Sequence, residues 1–236
     1  MTAPLPITRS FKPRRRRLSP LRAERYARLA PQWTISPHGQ LLDWFEVFGD
    51  GGPVVLDIGF GGGEALIELA GARPDERVVG VEVHTPGISN VLDAIDASGW
   101  HQVRVVEGDA LELLSRVPPA SLAGVRMFFP DPWPKRGQHH RRIVRAEVVA
   151  ALVDRLAAGG YLHLATDITD YARHAQVVLE ADPRLAGGLI PRPSWRPITR
   201  YERKAIAAGR TSVDLLYTRI DQWQELPIDL HHRGDH

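Results

Sequence analysis

The sequence predicts an α/β protein built on a doubly wound, mainly parallel sheet. Two observations carry this expectation. From Pro53 onward, short β-branched runs alternate with helical stretches, and Gly or Pro residues bound the runs. The alternation repeats five times, a rhythm suited to a sheet covered by helices and foreign to a bundle of buried helices.

The elements follow in order. Val54 to Ile58 reads as a first strand and Glu64 to Gly71 as its helix. Val78 to Val83 and then Ile88 to Ala97 form the second unit, Val103 to Val106 and Asp109 to Val117 the third. Val125 to Phe129 leads to a helix over Ile143 to Ala158, and Tyr161 to Ala165 leads to one over Asp170 to Glu180. Pro191 to Pro197 reads as a proline-rich connection and Val213 to Ile220 as a last strand. The expected organisation is a basic, flexible arm over residues 1–30, one domain over 31–221, and a polar tail over 222–236.

Composition narrows the classes. The chain has 236 residues, of which 43% are apolar and 25% charged, the mix of an ordinary globular protein. It contains no cysteine, which excludes disulfides, thiolate zinc sites and cysteine nucleophiles and fits a cytoplasmic protein. No apolar run is long enough to span a membrane, and the N-terminal arginines precede no apolar stretch of a secretory signal. The net charge of +2 conceals an asymmetry: residues 1–28 carry nine bases against Glu24, leaving 21 bases and 27 acids for the rest. A basic arm on a mildly acidic body suits phosphates, although a solvated tail accounts for the same charge.

The first strand runs into Asp57-Ile58-Gly59-Phe60-Gly61-Gly62-Gly63-Glu64. Glycines such as Gly59 at a strand-to-helix turn let backbone approach a ligand in the crevice beyond the strand ends. A dinucleotide site would place glycine where Glu64 stands. Acids around the loop repel a pyrophosphate and suit a ligand with positive charge and an amino group, such as S-adenosylmethionine. Glu82, at the end of strand two, can accept hydrogen bonds from both ribose hydroxyls, and Asp109, after strand three, from an adenine amine. Each acid could instead cap a helix, Asp109 especially.

Strand four enters Phe128-Phe129-Pro130-Asp131-Pro132-Trp133-Pro134-Lys135, where prolines on both sides of Asp131 fix an extended turn. This string, the glycine loop, Glu82 to Gly87 and Thr199-Arg200-Tyr201-Glu202-Arg203-Lys204 occur in one order. Together, over about residues 53–220, they resemble the bacterial tRNA (guanine-N7)-methyltransferase family. The resemblance implies a Rossmann-like methyltransferase fold, S-adenosylmethionine as cofactor, tRNA as partner, and no membrane or metal. It further implies that Asp57, Glu82, Asp109 and Asp131 meet the cofactor, with Asp131 the catalytic residue. Lys135, Asp167 and Thr199, Arg200, Tyr201 and Glu202 would meet the substrate. The family usually has glutamate where Asp57 stands, and its stretch after Lys135 is more basic than Arg136-Gly137-Gln138-His139-His140-Arg141-Arg142.

The chemistry implied is spare. Guanine N7 carries a lone pair and no proton, so it needs no general base, only position and a charge to meet the developing cation. Asp131 suits the second need. A carboxylate facing guanine N1-H and N2-H2 selects that base, and Asp167 or Glu202 could supply it; a helix cap and a surface ion pair with Arg200 or Arg203 are the competing roles. Arg141 and Arg142, with Lys135 and Arg145, would contact RNA phosphates. His139 and His140 lack the spacing of metal ligands. The competing functions are an exocyclic-amine methyltransferase and a non-catalytic RNA-binding protein, the second separable by a cofactor-binding measurement. Monomer and homodimer remain equal expectations.

Overall fold

The computed structural model describes residues 17–220; most of the basic arm and the polar tail lie outside them. Seven strands form one sheet in the order β3-β2-β1-β4-β5-β7-β6. They are β1 (Val54–Ile58), β2 (Arg77–Glu82), β3 (Val103–Glu107), β4 (Leu122–Phe128), β5 (Leu156–Thr166), β6 (Leu185–Ile190) and β7 (Val213–Arg219). The first five are parallel; β7 runs antiparallel between β5 and β6. From β1 the chain winds outward to β2 and β3, then returns to lay β4 and β5 on the other side. The turn-around falls between β1 and β4, and a crevice opens there beyond the strand ends.

Eight α-helices are described: α1 (Pro20–Trp33), α2 (Trp44–Phe48), α3 (Glu64–Ala72), α4 (Thr85–Ser98), α5 (Ala110–Leu113), α6 (Ala146–Arg155), α7 (Thr169–Glu180) and α8 (Arg200–Ala207), with one 3-10 helix over Arg136–Arg141. Every residue of β1 is buried, as expected for a central strand covered on both faces. Leu56, Val79, Val125, Leu152, Leu162 and Leu215 belong to the largest apolar core.

The structure departs from expectation in several places. Residues 20–30 were read as arm, but they form most of α1. Leu29 is buried there, and Tyr26, Ala30 and Trp33 pack against the cluster of Ile88, Val91 and Ile95. Spacing of three and four residues puts all of them on one helical face. Polar ties complete the docking: Arg22 donates to Pro86 O at 2.9 Å, and Arg28 pairs with Asp96 at 2.8 Å. The fourth helix (α6) ends at Arg155 rather than Ala158, because the chain enters β5 at Leu156 and carries Gly159 and Gly160 through an irregularity. There a Cβ on Gly160 would lie 2.9 Å from Leu122 O, so only glycine lets the strands close. Strand β6 and helices α2 and α8 have no counterpart in the sequence pattern, and α5 stops at Leu113 rather than reaching Val117.

Candidate active site

The carboxyl ends of β1 to β4 and the start of α8 enclose a cleft of about 480 Å³. Asp57, Gly59, Glu82, Asp109 and Asp131 all line it. The loop after β1 turns through left-handed backbone at Gly59, Gly61 and Gly63, with φ of 73°, 60° and 89°. Glycine takes these angles without strain. A Cβ on Gly59 would meet nothing within 4 Å, so the cleft is open there. Gly87 serves the same loop from α4: a Cβ on it would stand 1.7 Å from Gly61 O, a backbone clash. Nothing in the sequence announces this role of Gly87, because the contact joins segments that only the fold brings together.

Each acid is held differently. Glu82 uses both oxygens on backbone: Oε2 accepts from Gly61 N at 2.6 Å, Oε1 from Val83 N at 2.7 Å and His84 N at 2.9 Å. It therefore shapes the glycine loop with three accepted bonds, which leaves about one lone-pair site of the carboxylate at the cleft it lines. Asp109 caps α5, accepting from Leu111 N at 3.0 Å, and it also lines the cleft, so capping the helix does not remove it from the cleft wall. Asp57 is buried in β1, and its Oδ2 has no hydrogen-bond partner among the described residues. Burial pushes its carboxyl up to about 6, against the pull of Arg126 and with a push from Glu82.

That shift has a sign. Between the ordinary 3.8 and about 6, folded Asp57 holds a proton that the unfolded chain has released. Without ligand, stability therefore falls as pH rises through this window, by roughly 3 kcal/mol from this group. Urea midpoints of wild type and Asp57→Asn across pH 4 to 7 should diverge accordingly, the variant gaining relative stability towards pH 6. Parallel pH profiles would contradict the assignment.

Asp131 is exposed at the lip of the cleft. Its loop is pinned at both ends by left-handed non-glycine residues, Phe129 at φ 55° and Trp133 at φ 42°. Such backbone persists only when the surroundings hold it. Phe129 N donates to Ala165 O at 2.8 Å, Trp133 is buried, and Arg142 Nε donates to Pro132 O at 2.9 Å.

The substrate residues separate into two groups. Thr199, Arg200 and Tyr201 line the cleft, joined by Lys204, for which the sequence pattern implies no role. Lys135, Asp167, Glu202, Arg141 and Arg142 are not part of its lining. Asp167 pairs with Arg210 at 2.8 Å and does not cap α7, whose N-cap is Ile168. Glu202 was expected to read a base or sit in a surface ion pair; it is buried and bound to Arg196. Arg142 corrects another expectation: it is only 1% exposed, and it donates to Pro132 O and pairs with Asp170 at 2.5 Å. A guanidinium so enclosed braces the Asp131 loop and does not reach a phosphate. Exposed Arg141 lies 4.9 Å over the Trp133 ring. Among the described residues no group of His, Asp or Glu could hold a metal ion, and no helix is long and apolar enough to cross a membrane.

A family model described as "Putative methyltransferase" matches residues 51–215. The solved 16S rRNA (adenine(1408)-N(1))-methyltransferase of Catenulisporales acidiphilia, with its cosubstrate SAM, superposes with a TM-score of 0.53 at 16% identity. That alignment covers 78% of this chain and 95% of the other. Fold and acid-lined cleft thus define a Rossmann-like methyltransferase. The tRNA (guanine-N(7)-)-methyltransferase of Streptomyces avermitilis is 43% identical over 228 residues, 93% of this chain and 79% of the relative. That of Thiobacillus denitrificans is 43% identical over 218 residues, 91% of this chain and 96% of the relative. The chain belongs to the tRNA (guanine-N7)-methyltransferase family.

Proposed function

We propose that the protein transfers a methyl group from S-adenosylmethionine to N7 of a guanine in tRNA, in the variable loop by family resemblance. The observation that carries this reading is the placement of Asp131 on the lip of the same cleft that the strand-end acids Asp57, Glu82 and Asp109 line.

The residues fit the cofactor chemically. A sulfonium and an ammonium are cations, and the partnerless buried oxygen of Asp57 offers them a desolvated acceptor. Glu82 would accept from the ribose hydroxyls and Asp109 from the adenine amine. When bound, the cofactor supplies an electrophilic methyl group. The chain then has three tasks: fix the base by the cleft-facing turn of α8, keep water from the reacting centre, and place a negative charge beside the ring that becomes cationic. Asp131 performs the last, and its braced loop means that little reorganisation is needed. No side chain must remove a proton, because N7 has none. Arg141 and Lys135, both exposed beyond Asp131, would meet phosphates of the same RNA. A tRNA substrate supports a cytoplasmic location.

The test is nucleoside mass mapping after incubating the protein with bulk tRNA and methyl-labelled cofactor. The expected product is 7-methylguanosine at one position. Label in an exocyclic amine, or none in RNA, would overturn the reading.

A further inference from the structure

Helix α8 walls the cleft without an apolar underside. Of its eight residues, only Glu202 and Ala205 are buried. A helix this short and polar is marginal by itself, so its position must come from what holds Glu202. The carboxylate accepts from two nitrogens of Arg196, each at 2.7 Å, and from the Ser212 hydroxyl at 2.5 Å. Burial works to raise the Glu202 carboxyl, yet these hydrogen bonds win and hold it below its ordinary value. The Thr199 hydroxyl adds a cap, accepting from Glu202 N at 3.1 Å.

Arg196 is fully buried and turns its other edge to Asp214 on β7, with Nε 2.7 Å from Oδ1 and Nη2 3.1 Å from Oδ2. His163 on β5 closes the cluster, its Nε2 2.7 Å from Asp214 Oδ1. The Arg196 guanidinium also lies 5.8 Å from the Phe128 ring and 5.7 Å from that of Phe129, the residues that lead into the Asp131 loop. One buried cation thus touches α8, the sheet and the approach to Asp131.

Stability alone does not explain such a cluster, because well-packed apolar side chains often serve as well as buried ion pairs. A fork-to-carboxylate pair does fix distance and angle, which an apolar contact leaves free to slide. We propose that Arg196, Asp214 and His163 are positioning residues that act through Glu202, holding the first turn of α8 in place against the strand ends. In this assignment Glu202 does not read the base; it sets where Thr199, Arg200 and Tyr201 stand. The assignment rests on the methyl-transfer reading for its purpose, though not for its geometry.

The experiment has two arms, both in the full chain. Arg196→Met would strand two buried carboxylates and can unfold the protein, so near-isosteric Glu202→Gln, Asp214→Asn and His163→Gln are used instead. Hydrogen exchange without RNA or cofactor should quicken about tenfold at the α8 amides when a charged hydrogen bond is lost, with β1 and β4 amides unchanged. In the second arm, single-turnover methyl transfer is compared for Glu202→Gln, Tyr201→Ala and the double variant. If Glu202 acts by placing Tyr201, the double variant should be no more than about twofold slower than the slower single one. Unchanged α8 exchange in Glu202→Gln or Asp214→Asn overturns the anchoring, and multiplicative losses in the double variant overturn its action through α8. If wild type methylates no tRNA, the functional reading fails while the exchange arm still decides the anchoring.

Discussion

Methyl transfer should vanish when the target guanine is replaced by 7-deazaguanine, while tRNA binding stays nearly unchanged. The substitution puts C–H where the nucleophilic lone pair was, and leaves the Watson–Crick edge and every phosphate in place. Binding to RNA rests on phosphates, stacking and base edges, none of which the change removes. The loss therefore isolates the reacting atom. Single-turnover assays with labelled cofactor on a ligated tRNA carrying the analogue provide the measurement. Full activity on that substrate would mean that another atom of the base is the nucleophile.

Asp131→Asn should slow the chemical step by roughly a hundredfold or more, the scale on which one preorganised electrostatic group acts. Asparagine keeps the size of the side chain and part of its hydrogen bonding but brings no charge to the cationic ring. The loop itself should survive, since Trp133, the Arg142 bond to Pro132 O and the Phe129 bond to Ala165 O fix its backbone independently of the carboxylate. Affinities for cofactor and tRNA should change little, so the defect belongs in the single-turnover rate rather than in binding. A variant that transfers methyl at the wild-type rate would remove Asp131 from the chemistry.

The half of the molecule nearest the cofactor cleft was legible because its signals are local. A glycine turn directly follows β1, and acids stand at the ends of β1 and β2 and just after β3, where a strand period can be read from a few neighbours. The wall residues Thr199, Arg200 and Tyr201 were legible from their motif, but what anchors that wall was not. Glu202, Arg196, Asp214 and His163 meet across sequence separations of 6, 18 and 51 residues, and nothing near any of them announces the others. Arg142 misled for a related reason: a base in a basic run reads as solvated, and only the fold encloses it under the Asp131 loop. In α1 the arginines dominate the local composition and mask the helical spacing of Tyr26, Leu29, Ala30 and Trp33. Strand β6 escaped notice because Gly187 and Gly188 at its centre erase the alternation that marks a strand.

The sheet order has a consequence for synthesis. Among the described residues strand β6 pairs only with β7, and β7 is the last described element of the chain. Until residues 213–219 leave the ribosome, β5 has an open flank and β6 has nothing to join. The five parallel strands and the glycine loop can assemble earlier, since chains fold from the N-terminus as they emerge. Asp214 arrives with β7, so the anchor of α8 comes last. A nascent chain has its cofactor half complete before it has a wall to hold a base, and truncation within β7 leaves the first without the second.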